Sequence, residues 1–147
     1  MILAIDPGPE ESAYVLMNGD DLRPVDFGKI PNTDLRSLFF NTVNYTVIEM
    51  VASYGMAVGA EVFETCVWIG RFMEAIRGSS CTRVPRIKVK QHLCHDSRAK
   101  DANIIQALKD RFGNKGTKKN PGWFYGFKDD VWQAYALGVT YADTMPF

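Results

Sequence analysis

Three acidic residues occupy positions at which a folded chain could gather them around a cation. Asp6 follows the apolar run 2–5 and Glu49 follows the largely apolar run 45–48, so each acid ends a predicted buried strand. Asp130 opens the last predicted helix. A carboxylate at the tip of a buried strand is costly unless it is solvated, paired or bound to a metal ion. If the two strands are neighbours, Asp6 and Glu49 come within reach of one ion.

Carboxylates arranged in this way suit Mg²⁺, which prefers oxygen ligands and needs only a few of them from the protein. Two such ions can activate water and stabilise the leaving oxygen of a phosphodiester, so nuclease chemistry is one expectation. Each acid also has a plainer explanation. Asp6 precedes Pro7-Gly8 and could simply start a turn, and Glu49 could pair with one of the many basic side chains. Asp129 and Asp130 suit the positive end of a helix.

The pattern of apolar residues predicts an α/β protein whose first three strands form an antiparallel meander. Strands are predicted at 2–5, 12–17, 23–30, 45–50 and 86–89. A short helix is predicted from Asn32 or Thr33, with Leu35, Leu38 and Phe39 on one face. Longer helices are predicted at 58–77, ended by Gly78-Ser79-Ser80, and at 99–112 and 129–143. The segment 113–127 is predicted to be a long loop.

Length and composition predict a single domain over residues 1–147, because 147 residues with a hydrophobic fraction of 46% can build a core. No apolar run is long enough to cross a bilayer, and the strand predicted at the start leaves no room for a cleavable signal. Three cysteines without paired spacing indicate a reducing compartment, so a cytoplasmic location is expected. The stretch 91–95 holds two histidines and a cysteine but lacks a second paired motif, so a structural zinc site is not expected.

The charges are unevenly distributed along the chain although they cancel overall. Residues 1–70 carry three bases and ten acids, residues 71–128 carry fourteen bases and four acids, and residues 129–147 carry three acids and no base. A basic segment of this kind indicates a polyanionic partner, and the alternative is a basic surface that serves solubility alone. The predicted DNA-binding residues within it are Arg71, Lys90, Lys115, Lys118 and Lys119. The aromatic residues 123–125 beside them could stack on unpaired bases or simply anchor the loop on the core.

Three motifs resemble those of the RuvC-type Holliday junction resolvases, and most closely those of their phage and mobile-element relatives. They are Ile5-Asp6-Pro7-Gly8, Val47-Ile48-Glu49 and the helix start 129–134, and the resemblance also includes 54–72 and 100–104. It implies an RNase H-like fold with a mixed five-stranded sheet and flanking helices. It further implies Mg²⁺ or Mn²⁺ as cofactor, a homodimer, and nicking of branched DNA such as a four-way junction. Carried onto this sequence, it makes Asp6, Glu49 and Asp130 metal ligands and places a functional lysine near Lys100.

The sequence departs from the family pattern at Gln133, where many relatives have a second acid three residues into the last helix. Either Asp129 replaces that acid or one ligand is missing. Asp130 is preferred to Asp129 because Asp130 and Gln133 reproduce the family's three-residue step, which places both side chains on one helix face. Lys100 could contact a phosphate or orient the nucleophile, and it could equally be a solvated lysine at a helix start.

Three other functions are weighed against this one. A non-catalytic nucleic-acid-binding module of the same fold is compatible with Gln133. An actin-like or sugar-kinase-like phosphotransferase needs two related domains around its nucleotide, and 147 residues are too few for both, so no nucleotide cofactor is expected. Many exonucleases of this fold begin with Asp-x-Glu, whereas this chain has Asp6-Pro7-Gly8.

Overall fold

The sheet and its helices are seen in a computed structural model, which describes residues 1–38, 43–76 and 80–145. The strands are β1 (Ile2–Asp6), β2 (Glu11–Met17), β3 (Pro24–Pro31), β4 (Tyr45–Met50) and β5 (Ser80–Pro85). The helices are α1 (Asn32–Leu38), α2 (Ala60–Ala75), α3 (Arg86–Cys94), α4 (Asp101–Phe112) and α5 (Val131–Thr144). The strands form one five-stranded sheet in the order β3-β2-β1-β4-β5.

The central strand β1 determines the character of the sheet. It pairs antiparallel with β2 and parallel with β4, while β2–β3 is antiparallel and β4–β5 is parallel. The predicted meander of three early strands within a mixed sheet is therefore confirmed. Successive side chains of β1 point to opposite faces. Ile2 and Ala4 enter the core beneath α5, and Leu3 and Ile5 enter the core beneath α2. Burial on both faces explains why this strand is uniformly apolar.

Helix α5 packs on the face of the sheet that carries Ile2 and Ala4, and it is buried from Val131 to Tyr141. It approaches the sheet closely because Gly138 has no side chain: a Cβ there would lie 2.4 Å from Met17 Sδ. Helices α3 and α4 pack on α5 through Val89, Ile104 and Leu108. Helix α2 covers the opposite face through three large buried side chains, Trp68, Ile69 and Phe72.

One predicted strand is wrong. Residues 86–89, predicted as a strand, begin helix α3, and the fifth strand lies earlier, at Ser80–Pro85. Pro85 explains the boundary, because a proline has no N–H to continue a strand ladder but is compatible with the start of a helix. The other predicted elements are present, β4 at its predicted bounds and the remaining ones with shifted ends. The predicted positions of Phe39 in the first helix and of Arg77, Gly78 and Ser79 at the end of the second lie outside the described residues.

Within the described part of the chain, no helix is long and apolar enough to span a membrane. The three cysteines, Cys66, Cys81 and Cys94, are all free thiols.

Candidate active site

The parallel pairing of β1 with β4 brings two of the predicted acids together. The register pairs Ile5 with Ile48, so the next residue of each strand, Asp6 and Glu49, lies at the same edge of the sheet. Carboxyl ends of parallel strands are a common position for ligand sites in α/β sheets. The Glu49 side chain is only 14% exposed, which keeps this pair of acids largely out of solvent.

The two carboxyl groups are in hydrogen-bonding contact, and this changes the chemistry of Asp6. Its pKa is raised to about 9, first by burial, then by the hydrogen bond with Glu49 and by the negative charges of Glu49 and Asp130. The positive charge of Arg86 acts in the opposite direction. Two buried carboxylates in contact repel each other unless a proton or a cation lies between them. Without a cation, the pair therefore holds a proton at neutral pH.

Asp130 lies immediately before α5 and completes a cluster of three acids, Asp6, Glu49 and Asp130, called here the acid corner. Its carboxylate accepts a hydrogen bond of 2.9 Å from Lys29 Nζ of β3, and its side chain is 51% exposed. Asp129 has a left-handed backbone (φ 49°) and lines a different cavity together with Lys29. Of the two neighbouring aspartates, Asp130 is thus the one whose charge reaches Asp6.

Arg86 is a site residue that the sequence interpretation missed. It is the first residue of α3, and its guanidinium Nη1 lies 3.5 Å from Glu49 Oε1. Its Nη2 donates a short hydrogen bond to the carboxylate of Asp101 in the first turn of α4. The wrong strand at 86–89 concealed it, because in a strand the Arg86 side chain would have had no defined relation to Glu49. The proline before it was the available signal for a helix start.

Two cavities of about 810 and 490 Å³ meet at the acid corner. Asp6, Pro7 and Arg86 line both of them. The larger cavity also includes Lys29 and Asp130, and its outer wall carries four glutamates, Glu10, Glu11, Glu61 and Glu64, all of them exposed. The smaller one includes Glu49, Tyr54 and Lys90. A ligand that extends through both cavities has to pass Asp6 and Arg86.

A hydrogen-bonded network fixes the turn that follows Asp6. The Ser12 hydroxyl accepts a hydrogen bond from the Gly8 N–H and donates one to Asn32 Oδ1, and Asn32 Nδ2 donates to the Gly8 carbonyl. A Cβ on Gly8 would lie 2.4 Å from the Glu11 carbonyl oxygen, so the turn has room only for glycine. Ser12 and Asn32 are both buried, and the network therefore anchors the backbone that carries Asp6.

The donor set of the acid corner suits a hard divalent cation, because all three side chains offer carboxylate oxygens. Asp6 and Glu49 are already in contact, and a cation between them would relieve the repulsion that a proton otherwise relieves. Asp130 is held by Lys29. Among residues 1–38, 43–76 and 80–145, no three acidic, histidine or cysteine side chains converge closely enough to hold a metal ion as they stand.

The structure places Lys90 on the wall of the smaller cavity, but it does not bring Lys100 or Arg71 into the acid corner. Lys100 is exposed just before α4, and the side chain beside it that reaches the site is Asp101, through Arg86. Arg71 lies on α2 with its guanidinium 4.1 Å from the centre of the Trp68 ring.

The segment 113–127 forms a loop with exposed bases and anchored aromatic rings. Gly116 and Pro121 are bridged across it, and the exposed lysines of the loop are Lys115, Lys118 and Lys119. Phe124 is fully buried, and Trp123 Nε1 donates a hydrogen bond of 3.0 Å to the Tyr135 hydroxyl. Phe124 and Trp123 therefore anchor the loop on the core. Tyr125 does not, because it is 44% exposed.

Two further sequence features, Gln133 and His92, lie on or against α5. Gln133 is 7% exposed within α5, where its neighbours on the helix are also buried. His92 Nε2 lies 2.7 Å from Asp143 Oδ2, and the same carboxylate accepts two hydrogen bonds from Arg111. His92 is thus part of an ion-paired contact between α3, α4 and α5.

The architecture matches solved structures of RuvC from Thermus thermophilus. One RuvC structure gives a TM-score of 0.69 at 15% sequence identity, covering 96% of this chain and 92% of that chain. RuvC in complex with a Holliday junction substrate gives a TM-score of 0.72 at 13% identity, with the same coverage of both chains. The fold of this chain is RuvC-like. The predicted RNase H-like fold is therefore confirmed, and at such low identity this likeness establishes the fold alone. No family model and no curated protein sequence matches the chain.

Proposed function

We propose that this protein is a metal-dependent endonuclease that nicks phosphodiesters in branched DNA, as a Holliday junction resolvase does. The observation that carries the proposal is the contact between Asp6 and Glu49 at the carboxyl ends of two parallel strands, with Asp130 close by. Folds do not determine functions, so the proposal depends on this site rather than on the likeness alone. One of the RuvC structures described above is a complex with a Holliday junction substrate, which favours branched DNA as the substrate class here.

Asp6 and Glu49 would hold the first of two predicted ions, Mg²⁺ or Mn²⁺. Asp130, once released from Lys29, would serve the second, with Asp129 as the alternative ligand. The bound ions would activate water and stabilise charge on the phosphate. Both side chains of the Lys29–Asp130 ion pair are exposed. Exposed ion pairs contribute only about 1 kcal/mol or less to stability, so breaking this pair costs little free energy.

The DNA backbone would be bound by lysines and arginines of the basic segment. Lys90 lines the smaller cavity, and Lys115, Lys118 and Lys119 project from the loop that precedes Asp130. We keep Lys100 as a candidate phosphate contact and Arg71 as a more distant one. Reversing the charges of Lys118 and Lys119 tests the loop. Junction affinity at a fixed salt concentration should fall, and the slope of affinity against salt should flatten. Unchanged affinity removes the loop from the binding surface.

A homodimer is the proposed assembly, with α2 at its interface. Phe63 and Val67, two of the regularly spaced apolar residues of this helix, are 63% and 52% exposed. They lie one helical turn apart on a face that the monomer leaves uncovered. Phe63→Glu should convert a dimer to a monomer in light scattering, whereas Glu74→Gln on the same helix should not. A wild-type protein that is monomeric at high concentration contradicts the dimer.

The decisive experiment measures nicking of four-way junctions by the purified protein with Mg²⁺ or Mn²⁺. Asp6→Asn, Glu49→Gln and Asp130→Asn should each abolish nicking while sparing junction binding, and Glu74→Gln is the matched control. Linear duplex and RNA–DNA hybrid substrates test specificity. Full activity in all three acid variants refutes the assignment. Binding without nicking by the wild type would favour the second candidate, a non-catalytic module, which the neutral Gln133 supports. A single domain over 1–147 and a cytoplasmic location remain predictions.

A further inference from the structure

Arg86 brings a fixed positive charge into the acid corner. It directly follows β5, whose last residue, Pro85, pairs with Met50 of β4. The register therefore places the start of α3 beside the end of β4, where Glu49 lies. The guanidinium is close to Glu49 at 3.5 Å, and its charge also acts on Asp6. An arginine that contacts one proposed metal ligand and whose charge acts on a second requires an explanation, because it competes with the ion they would hold.

Asp101 holds the same guanidinium from the other side. Its carboxylate accepts the short hydrogen bond from Nη2, while Nη1 faces Glu49. A guanidinium has five N–H donors in a planar fork, and these two contacts use two of them. The side chain is 31% exposed and lines both cavities. Arg86 is thus fixed on two sides and still offers donors to a ligand between the cavities.

The position of Arg86 determines which part of a bound ligand it can contact. A nucleic-acid backbone that crosses from one cavity to the other passes Asp6, Pro7 and Arg86, since these residues line both. A phosphodiester at this point faces the carboxylates of Asp6 and Glu49, so it needs cationic groups beside it. Of these two cavities, Lys29 lines only the larger one and Lys90 only the smaller one, whereas Arg86 lines both. Arginine suits this task, because its planar fork binds two phosphate oxygens at once.

We propose that Arg86 binds the phosphodiester that is cut, through the donors that Glu49 and Asp101 leave available, and that Asp101 is a positioning residue for it. This inference rests on the proposed nuclease function. The position of Arg86 also affects ion binding in the absence of DNA. A fixed cation beside Asp6 and Glu49 repels a divalent ion, so Arg86 weakens ion binding while it strengthens phosphate binding.

Arg86→Ala should therefore have two opposite effects. Mn²⁺ should bind the DNA-free protein about tenfold more tightly, as expected when one charge roughly 5 Å from a divalent ion is removed in a water-like dielectric. This is measured by titration calorimetry with the metal alone. Single-turnover nicking of a junction at saturating Mn²⁺ should slow by about 100-fold, the usual effect of removing one donor to a transition-state anion. A merely structural arginine would not tighten ion binding when it is removed.

Two conservative variants and one control complete the test. Arg86→Lys keeps the charge and loses the fork, so Mn²⁺ affinity should stay unchanged while nicking slows. Asp101→Asn should slow nicking with the arginine intact. Lys88→Ala, an exposed base on the same helix, should change neither measurement.

Each outcome decides the inference. Unchanged Mn²⁺ affinity in Arg86→Ala overturns it, whether or not the chain proves to be a nuclease. Wild-type nicking rates in Arg86→Ala also overturn it. If Arg86→Ala does not fold, Arg86→Lys and Asp101→Asn decide, and normal nicking in both refutes the role. Failure of the proposed function is distinct, because the wild-type protein itself would then leave junctions uncut.

Discussion

Replacing Asp6 with asparagine should stabilise the metal-free protein while it removes activity. The pKa of Asp6 is raised to about 9 in the folded protein, chiefly by burial, whereas an unfolded chain has an aspartate pKa near 3.9. Between these pH values the folded state holds a proton that the unfolded state releases, so the wild-type stability falls as pH rises. Asparagine is neutral at every pH and does not carry this cost.

The size of the effect follows from the pKa difference. Each pH unit within this window changes the free energy of unfolding by about 1.4 kcal/mol. The largest possible gain in stability from Asp6→Asn between pH 5 and pH 8 is therefore about 4 kcal/mol. Asp6 is partly reached by solvent, which screens its charge, and we therefore expect about half of that limit. A gain of about 2 kcal/mol raises the melting temperature of a chain of this size by about 6 °C.

The assay is thermal denaturation followed by circular dichroism in EDTA at several pH values. The melting temperature of Asp6→Asn relative to wild type should rise by about 6 °C between pH 5 and pH 8. Asp110→Asn, an exposed acid on α4, should show no pH-dependent gain. Adding Mg²⁺ should stabilise the wild type and leave Asp6→Asn unchanged. A difference that is constant across pH, or a loss of stability at pH 8, refutes the reasoning about the buried carboxyl pair.

Four further variants test the packing of two helices, the polar contacts of α5 and the turn after β1. Gly138→Ala should cost about 1–3 kcal/mol in urea denaturation because its Cβ would overlap Met17, whereas Gly70→Ala, with open space around it, should gain up to about 1 kcal/mol. Asp143→Asn should cost about 1–2 kcal/mol at pH 7. Hydrogen bonds from Arg111 lower the pKa of Asp143, so this stabilisation is present at neutral pH and is lost in acid, and equal stability of the variant at pH 7 would contradict it. Ser12→Ala should cost about 1–2 kcal/mol and speed hydrogen exchange at the Gly8 amide. Unchanged exchange would mean that the turn after β1 holds without this hydroxyl.

The sequence contained enough information for the parts of the fold in which burial is complete. Strand β1 is apolar on both faces, and α5 is apolar almost throughout, so both were predicted close to their observed positions. The position of strand β5 was not predicted because the strand has one buried residue, Val84, and therefore almost no apolar pattern. Helix α3 likewise buries only Val89, and the alternation around that residue was mistaken for a strand.

The proximity of Asp6 and Glu49 was predictable once their strands were predicted to be neighbours, because parallel strands end at the same edge. The contact between Lys29 and Asp130 was not, since it joins residues 101 positions apart and neither sequence neighbourhood indicates the other. The same is true of Arg86, whose contacts with Glu49 and Asp101 depend on the register of β5. Long-range ion pairs of this kind follow from topology, and no local pattern encodes them.

The burial of α5 has a consequence for how the protein tolerates change. Eleven successive residues of this helix, Val131 to Tyr141, are buried, and Asp130 is attached directly to the first of them. Packing of these residues in the core therefore fixes the position of the Asp130 carboxylate along the helix axis. A displacement of about 1 Å at a reacting centre can reduce a rate by about 100-fold. Under the proposed function, volume changes at the far end of the helix should therefore lower the nicking rate by displacing Asp130, although the protein stays folded and none of the three acids is replaced.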